Sequence, residues 1–347
     1  MTATMLHKNH PLRIFGISAL FTVALGVVVT MYGGLVDLWL YAILVVLEVT
    51  FSFDNAVINS KILSRMSRLW QTIFLTVGII IAVFIVRFAL PIIIVMFAGS
   101  TGFSQVIDMA LNHPEQYSQT LHQAAPVINA FGGAFLLMLG TSYFIDRKKD
   151  IHWLSHIESR LAQAGKYENF KALIMLGLAL ILYITVDEAH RTIVLVSALF
   201  GIVLHMLLEV MGAYFAHHQS NAKELVGWAA FMSFLYLEVL DSSFSLDGVI
   251  GAFAITPDVL LIMAGLGIGA LWVRSLTIYL VRTHTLGKYR YLEHGAHWAI
   301  FALGAVMVLK LYHVEPPEWM VGSLGIVFVM TAVISSILER RRKSHAS

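Results

Sequence analysis

The sequence predicts an all-α, polytopic transmembrane helix bundle of about ten spans, built on inverted-topology repeats. Three observations predict it: the composition, the distribution of basic residues between apolar runs, and an acidic motif that occurs twice. Of 347 residues, 58% are hydrophobic and only 13% are charged, and the mean hydropathy is +0.78. A soluble domain carries roughly a quarter charged residues, so this chain is expected to be solvated mainly by lipid. The formal net charge of +2 gives no sign of a nucleic-acid partner. There are no cysteines, which excludes disulfides, thiolate metal sites and cysteine nucleophiles.

A span needs about 20 mainly apolar residues. Ten runs qualify, at 14–32, 36–59, 70–97, 126–145, 171–187, 191–216, 226–255, 258–281, 296–312 and 319–338. The first is long for a signal-peptide core of ~7–15 residues, so it reads as a retained span. The division around Asp187 and Arg191 is the least secure, because 171–216 also reads as one long kinked segment. The whole chain reads as one integral membrane domain, 1–347, with no hydrophilic stretch long enough to fold alone.

Basic residues give the expected orientation, because cytoplasmic loops concentrate Lys and Arg. With both termini cytoplasmic, 19 of the 23 Lys and Arg fall on the inner side. Loop 98–125 has none and is expected outside as a polar cap. The stretch 146–170 is expected to hold a short amphipathic helix on the cytoplasmic side.

Residues 48–57 read Glu-Val-Thr-Phe-Ser-Phe-Asp-Asn-Ala-Val, and residues 241–250 read Asp-Ser-Ser-Phe-Ser-Leu-Asp-Gly-Val-Ile. The alignment pairs Glu48 with Asp241, Ser52 with Ser245 and Asp54 with Asp247. The next span of each half agrees: Gly78, Ala82 and Arg87 match Gly265, Gly269 and Arg274. The repeats extend over about 36–145 and 226–312. The motifs lie on the second and seventh spans, so they cross the membrane in opposite senses. Inverted repeats mark secondary transporters, with the binding site near the midplane.

Five acids fall well inside these two spans, apart from Asp37 at the start of the second: Glu48, Asp54, Glu238, Asp241 and Asp247. Each costs about 2.5–3.5 kcal/mol at a helix centre, and Arg87 and Arg274 balance at most two of them. The remaining negative charge calls for a cation or for protons. Six residues separate Glu48 from Asp54 and Asp241 from Asp247, about 120° apart on an ideal helix. A helix break at Ser-Phe-Asp-Asn and at Ser-Leu-Asp-Gly would let both acids of each pair converge, and Gly248 suits one. The expected metal ligands are Glu48, Asp54, Asn55, Asp241, Asp247, Glu238, Ser52 and Ser245. Hard oxygen donors suit magnesium, calcium or manganese.

Other features are weaker. His205 and Glu209 share a helix face, as a local pair or an accessory proton or metal site. His152 and His156 have chelating spacing, but most of the 15 histidines read as solvated or interfacial. Glycines in spans four and nine read as close packing.

At Glu48-x-x-Phe-Ser-Phe-Asp-Asn-Ala and Phe-Ser-Leu-Asp-Gly-Val, the chain resembles the TerC family of integral membrane proteins, over about residues 36–312. Leu246 stands where that family commonly has Phe. The resemblance implies a metal-cation exporter of the bacterial inner membrane, with manganese as cargo, and a link to tellurium resistance. It implies no enzyme activity and no covalently bound cofactor. Expected partners are the metal cation, protons as a candidate exchange ion, the lipid bilayer and, where it self-associates, a homo-oligomer. The competing readings are an intramembrane hydrolase, for which no zinc or aspartyl-protease motif is present, and a non-transporting component of a metal or tellurium stress-resistance complex.

Overall fold

The computed structural model describes residues 11–99, 102–146, 149, 151–166, 170–217, 224–253 and 255–346. Their regular structure is helical, as the composition requires. A chain in hydrocarbon must satisfy its backbone internally, and helices do so within one segment. Among the described residues, eight helices are long and apolar enough to cross a membrane, and Phe170–Thr185 is a shorter apolar helix.

The first of the eight is two segments. Gly34 has φ 74° and ψ −162°, a conformation open to glycine and costly for other residues. It separates α1 (11–33) from α2 (35–51). The Tyr41 hydroxyl donates to the carbonyl of Thr22 at 3.1 Å, 19 residues away. On one straight helix those residues would stand about 28 Å apart, so the chain reverses at Gly34. With α10 (Phe170–Thr185) and this hairpin counted as two, the described residues hold ten apolar segments, the number the sequence predicts. Residues 187–190 form a turn between α10 and α11 (Arg191–His217), so the fifth and sixth segments are separate helices.

The chain forms two compact units, Met1–Ala125 with His218–Thr283 and Pro126–His217 with His284–Ser347. The first contains α1, α2, α3 (Phe53–Leu63) and α4 (Arg68–Ile80). A π-helical segment (Ile81–Ala89) and α5 (Leu90–Gly99) continue α4. The short polar helices α6 (Phe103–Asn112) and α7 (Pro114–Gln123) follow, and then α12 (Gly227–Phe253) and α13 (Val259–Arg282). Loop 98–125 is therefore largely an ordered helical pair, held by buried Val106, Tyr117 and Leu121 and by Tyr117 against Phe253, ring centroids 5.7 Å apart.

The start of α12 lies beside the end of α3. Leu225 N–H donates to Arg65 at 2.7 Å, and Ser67 N–H donates to Leu225 at 3.1 Å. One helix leaves where the other arrives, so the two motif-bearing spans are antiparallel, as an inverted repeat demands. The π segment has a local cause. Pro91 has no N–H to offer the carbonyl of Arg87, and its ring crowds that carbonyl. The wider turn precedes it directly. The corresponding position in the second repeat is Ile278, and α13 is regular throughout.

The second unit contains α8 (Ala125–Ile145), α9 (Ser155–Ala164), α10, α11, α14 (Thr285–Lys288), α15 (Leu292–Lys310) and α16 (Glu318–Ala346). Spans α8 and α15 cross closely: a Cβ on Gly133 would lie 3.2 Å from the Gly304 carbonyl, and one on Gly304 would lie 3.0 Å from Leu137. The expected amphipathic helix is α9, and it is fastened by one residue. Glu158, buried, accepts from Trp298 Nε1 at 2.9 Å and from Trp153 N–H at 2.9 Å, and pairs with His294 Nδ1 at 2.8 Å. Burial pushes the Glu158 carboxyl up, but these bonds and the His294 charge outweigh it and bring it down to about 2.

A carboxyl lowered in the folded state contributes stability that is present above its unfolded value of 4.5 and is lost as pH falls towards about 2. Glu158→Gln should lower the melting temperature in detergent by several degrees at pH 7. The gap to wild type should close between pH 4.5 and 2. A gap independent of pH across that window would refute the assignment.

Candidate cation site

The acidic motifs meet inside the first unit. The second span is interrupted at Ser52 (φ −99°, ψ 13°), between α2 and α3, as expected, and Asp54 and Asn55 fall in the first turn of α3. The break expected at Ser-Leu-Asp-Gly is absent. The α12 backbone is helical from Gly227 to Phe253, and Gly248 has no positive φ. Glycine permits a break without imposing one. Inside a helix it costs only about 1 kcal/mol, less than leaving backbone groups unpaired in hydrocarbon.

Two guanidiniums organise the acids. Arg87, on the π segment, donates to Glu48 at 2.5 Å and to the carbonyl of Ala82 at 2.9 Å, and lies 3.9 Å from Asp241. Ser52 donates to the same Glu48 oxygen at 2.8 Å. Arg274 makes two 3.1 Å bonds to Glu238, stacks over Phe74, donates to the Phe74 carbonyl at 2.9 Å and lies 3.5 Å from Asp241. Asn55 donates to the other Asp241 oxygen at 2.9 Å. None of these residues is more than 6% exposed.

Small residues admit the network. A Cβ on Gly269 would collide with the Glu48 side chain, and one on Gly78 would collide with Arg274 and Glu238. Both positions belong to the repeat, and only glycine lets a charged side chain lie against the helix axis there.

The contacts obey the repeat. The correspondence maps Asn55 onto Gly248 and Asp241 onto Glu48. The Asn55–Asp241 bond has its image in the approach of Gly248 to Glu48, where a Cβ would lie 3.7 Å from the carboxylate. The Arg87–Glu48 pair likewise maps onto Arg274–Asp241. Glu238 breaks the symmetry, because Val45 occupies the equivalent place on the first repeat.

Of the expected ligands, Ser52 bonds Glu48 and Asn55 bonds Asp241 directly, while Glu48 and Glu238 are linked to Asp241 through Arg87 and Arg274. Asp54 is buried beside Asn55, and Ser245 stands one turn from Asp241. The side chain of Asp247 lies outside the described residues. Glu48 and Glu238 are taken up by arginine. Among the described residues of the first unit, the buried oxygens with no hydrogen-bond partner are Asp54 Oδ1, Asn55 Oδ1, Asn59 Oδ1, Asp241 Oδ2 and Ser245 Oγ; Asn129 Oδ1 and Ser142 Oγ are in the same state in the second unit. Asn59 carried no signal in the sequence, since it lies outside both motifs. Among the described residues, no three His, Asp or Glu side chains converge to hold a metal ion. His205 is buried, edge-on to Phe135 and 4.0 Å from Glu209, which Lys171 also pairs.

Antiparallel motif spans, a pseudo-dyad through buried acids and two intramembrane arginines define a polytopic membrane protein of inverted-repeat type. Residues 53–343 match the family described as Protein of unknown function (DUF475), and the chain belongs to that family. No curated protein and no solved structure matches the chain.

Proposed function

We propose that the protein is a secondary transporter that exports a divalent metal cation across the bacterial inner membrane. One observation carries the reading. Four described carboxylates, Glu48, Asp54, Glu238 and Asp241, are buried in the first unit, three of them within ion-pair distance of its two buried arginines. Fully ionised, they leave two negative charges uncompensated, the charge of one divalent cation. The unpartnered oxygens beside them are hard donors, suited to manganese, magnesium or calcium. The resemblance to the TerC family favours manganese, and protons are the natural exchange ion for carboxylates. The protein in this reading is not an enzyme and holds no covalent cofactor.

The test is manganese flux into sealed vesicles containing the purified protein, against protein-free vesicles. A second reading also has an observation behind it. Glu48, Glu238 and Asp241 all have an arginine within ion-pair distance, so the network is equally able to hold together a non-transporting component of a metal or tellurium stress-resistance complex. Absence of flux from folded, reconstituted protein would favour that reading.

Export needs the orientation that the basic residues imply, with both termini cytoplasmic and α6–α7 outside. Cysteine introduced for Gln119, exposed on α7, should react with an impermeant thiol reagent in intact cells. Cysteine introduced for Arg342 should react only after lysis. The opposite pattern would reverse the direction of the path.

A further inference from the structure

The seam that α2 and α3 form with α12 has a fixed antiparallel register. From the Glu48–Gly248 approach to the Asn55–Asp241 bond is seven residues forward on one strand of the seam and seven back on the other. In that register Ser245 is level with Phe51, Asp241 with Asn55, and Leu237 with Asn59. Each level is four residues, about 6 Å, from the next.

Among the described residues of this unit, four of the five buried oxygens without a hydrogen bond fall on these levels: Ser245 Oγ on the first, Asp241 Oδ2, which faces the arginines, and Asn55 Oδ1 on the second, and Asn59 Oδ1 on the third. Asn59 is 2% exposed and Leu237 is fully buried. Asn55 and Asn59, four apart, share the helix face turned to α12. A buried amide oxygen level with a leucine is costly unless something else uses it.

We propose that Asn59 is a rung of the cation path, one helical turn beyond the acidic site on the side where Arg65 and Ser67 meet Leu225. This inference rests on the transport reading. A hard cation leaving Asp241 and Asn55 sheds their oxygens one at a time. A neutral amide oxygen about 6 Å on gives it a ligand before water reaches it, without the charge that would trap it. Conduction needs such sites, weak enough to leave.

The consequence separates Asn59 from the site residues, because a rung governs passage and not occupancy. Full-length Asn59→Leu and Asn59→Ala, purified and reconstituted, should carry about tenfold less manganese per folded molecule. In detergent, manganese affinity should stay within about threefold of wild type. Asn59→Gln, which keeps a neutral amide oxygen, should recover most of the flux. If Asn59→Leu yields no folded protein, Asn59→Ala is read the same way. Wild-type flux with unchanged flux in the folded variants overturns the rung alone. Loss of affinity equal to the loss of flux overturns it too, by making Asn59 part of the site. No manganese binding or flux by the wild type overturns the transport reading and the rung with it.

Discussion

Replacing Asp54 by asparagine is expected to bring manganese flux per folded molecule to background while leaving the amount of inserted protein unchanged or raised. Asp54 is buried, in the first turn of α3, with no arginine among the described residues in ion-pair contact. The substitution keeps size and polarity and removes one charge from a setting where attraction to a cation is strongest. It also removes an insertion cost of about 2.5–3.5 kcal/mol. A structural role predicts the opposite pairing, with less folded protein and ordinary flux per molecule. Asp247→Asn, at the equivalent position of the second repeat, belongs in the same experiment. Ordinary flux per molecule in both variants would end the metal-site reading.

Arg87→Leu should behave in the reverse manner and reduce folded protein by an order of magnitude or more. It strips the guanidinium from Glu48 and leaves Asp241 with Arg274 alone. Removing one partner of a buried pair costs about 3–5 kcal/mol, a large share of the 5–15 kcal/mol that typically holds a domain together. Adding Glu48→Gln should restore part of the yield, because the two residues are in contact and their effects do not add. The monodisperse fraction after detergent extraction measures both. Wild-type yield from the single variant would mean that the pair contributes nothing to folding.

Much of this architecture was legible in the sequence because lipid enforces simple rules. Apolar runs of sufficient length gave the spans, and the pairing of Glu48 with Asp241 and Arg87 with Arg274 gave the antiparallel relation. What was illegible was the division of labour among the acids. Spacing along one span brings Glu48 and Glu238 into the same list as Asp54. Only the neighbouring span shows that the first two are occupied by guanidiniums. The two motifs also look alike where their backbones differ. Ser52 donates its hydroxyl to the Glu48 side chain at a helix interruption, whereas the equivalent Ser245 Oγ has no hydrogen-bond partner and stands in an unbroken helix. Asn59 was invisible for a plainer reason: a single asparagine in an apolar run is informative only when its oxygen is seen to lack a partner.

The irregular backbone is confined to one half of the repeat. The Ser52 interruption and the π segment at Ile81–Ala89 both lie in the first copy, while α12 and α13 are continuous in the second. Two halves of like sequence therefore occupy unlike conformations around a shared pseudo-dyad. For a carrier, that inequality is a polarity. A rotation about the dyad that exchanged the halves would straighten the helix before Asp54 and open the one before Asp247, and so turn the mouth of the path to the other face. Pro91 ties the wide turn to one half, so on the transport reading the two polarities would differ in energy and one mouth would be favoured before any cargo arrives.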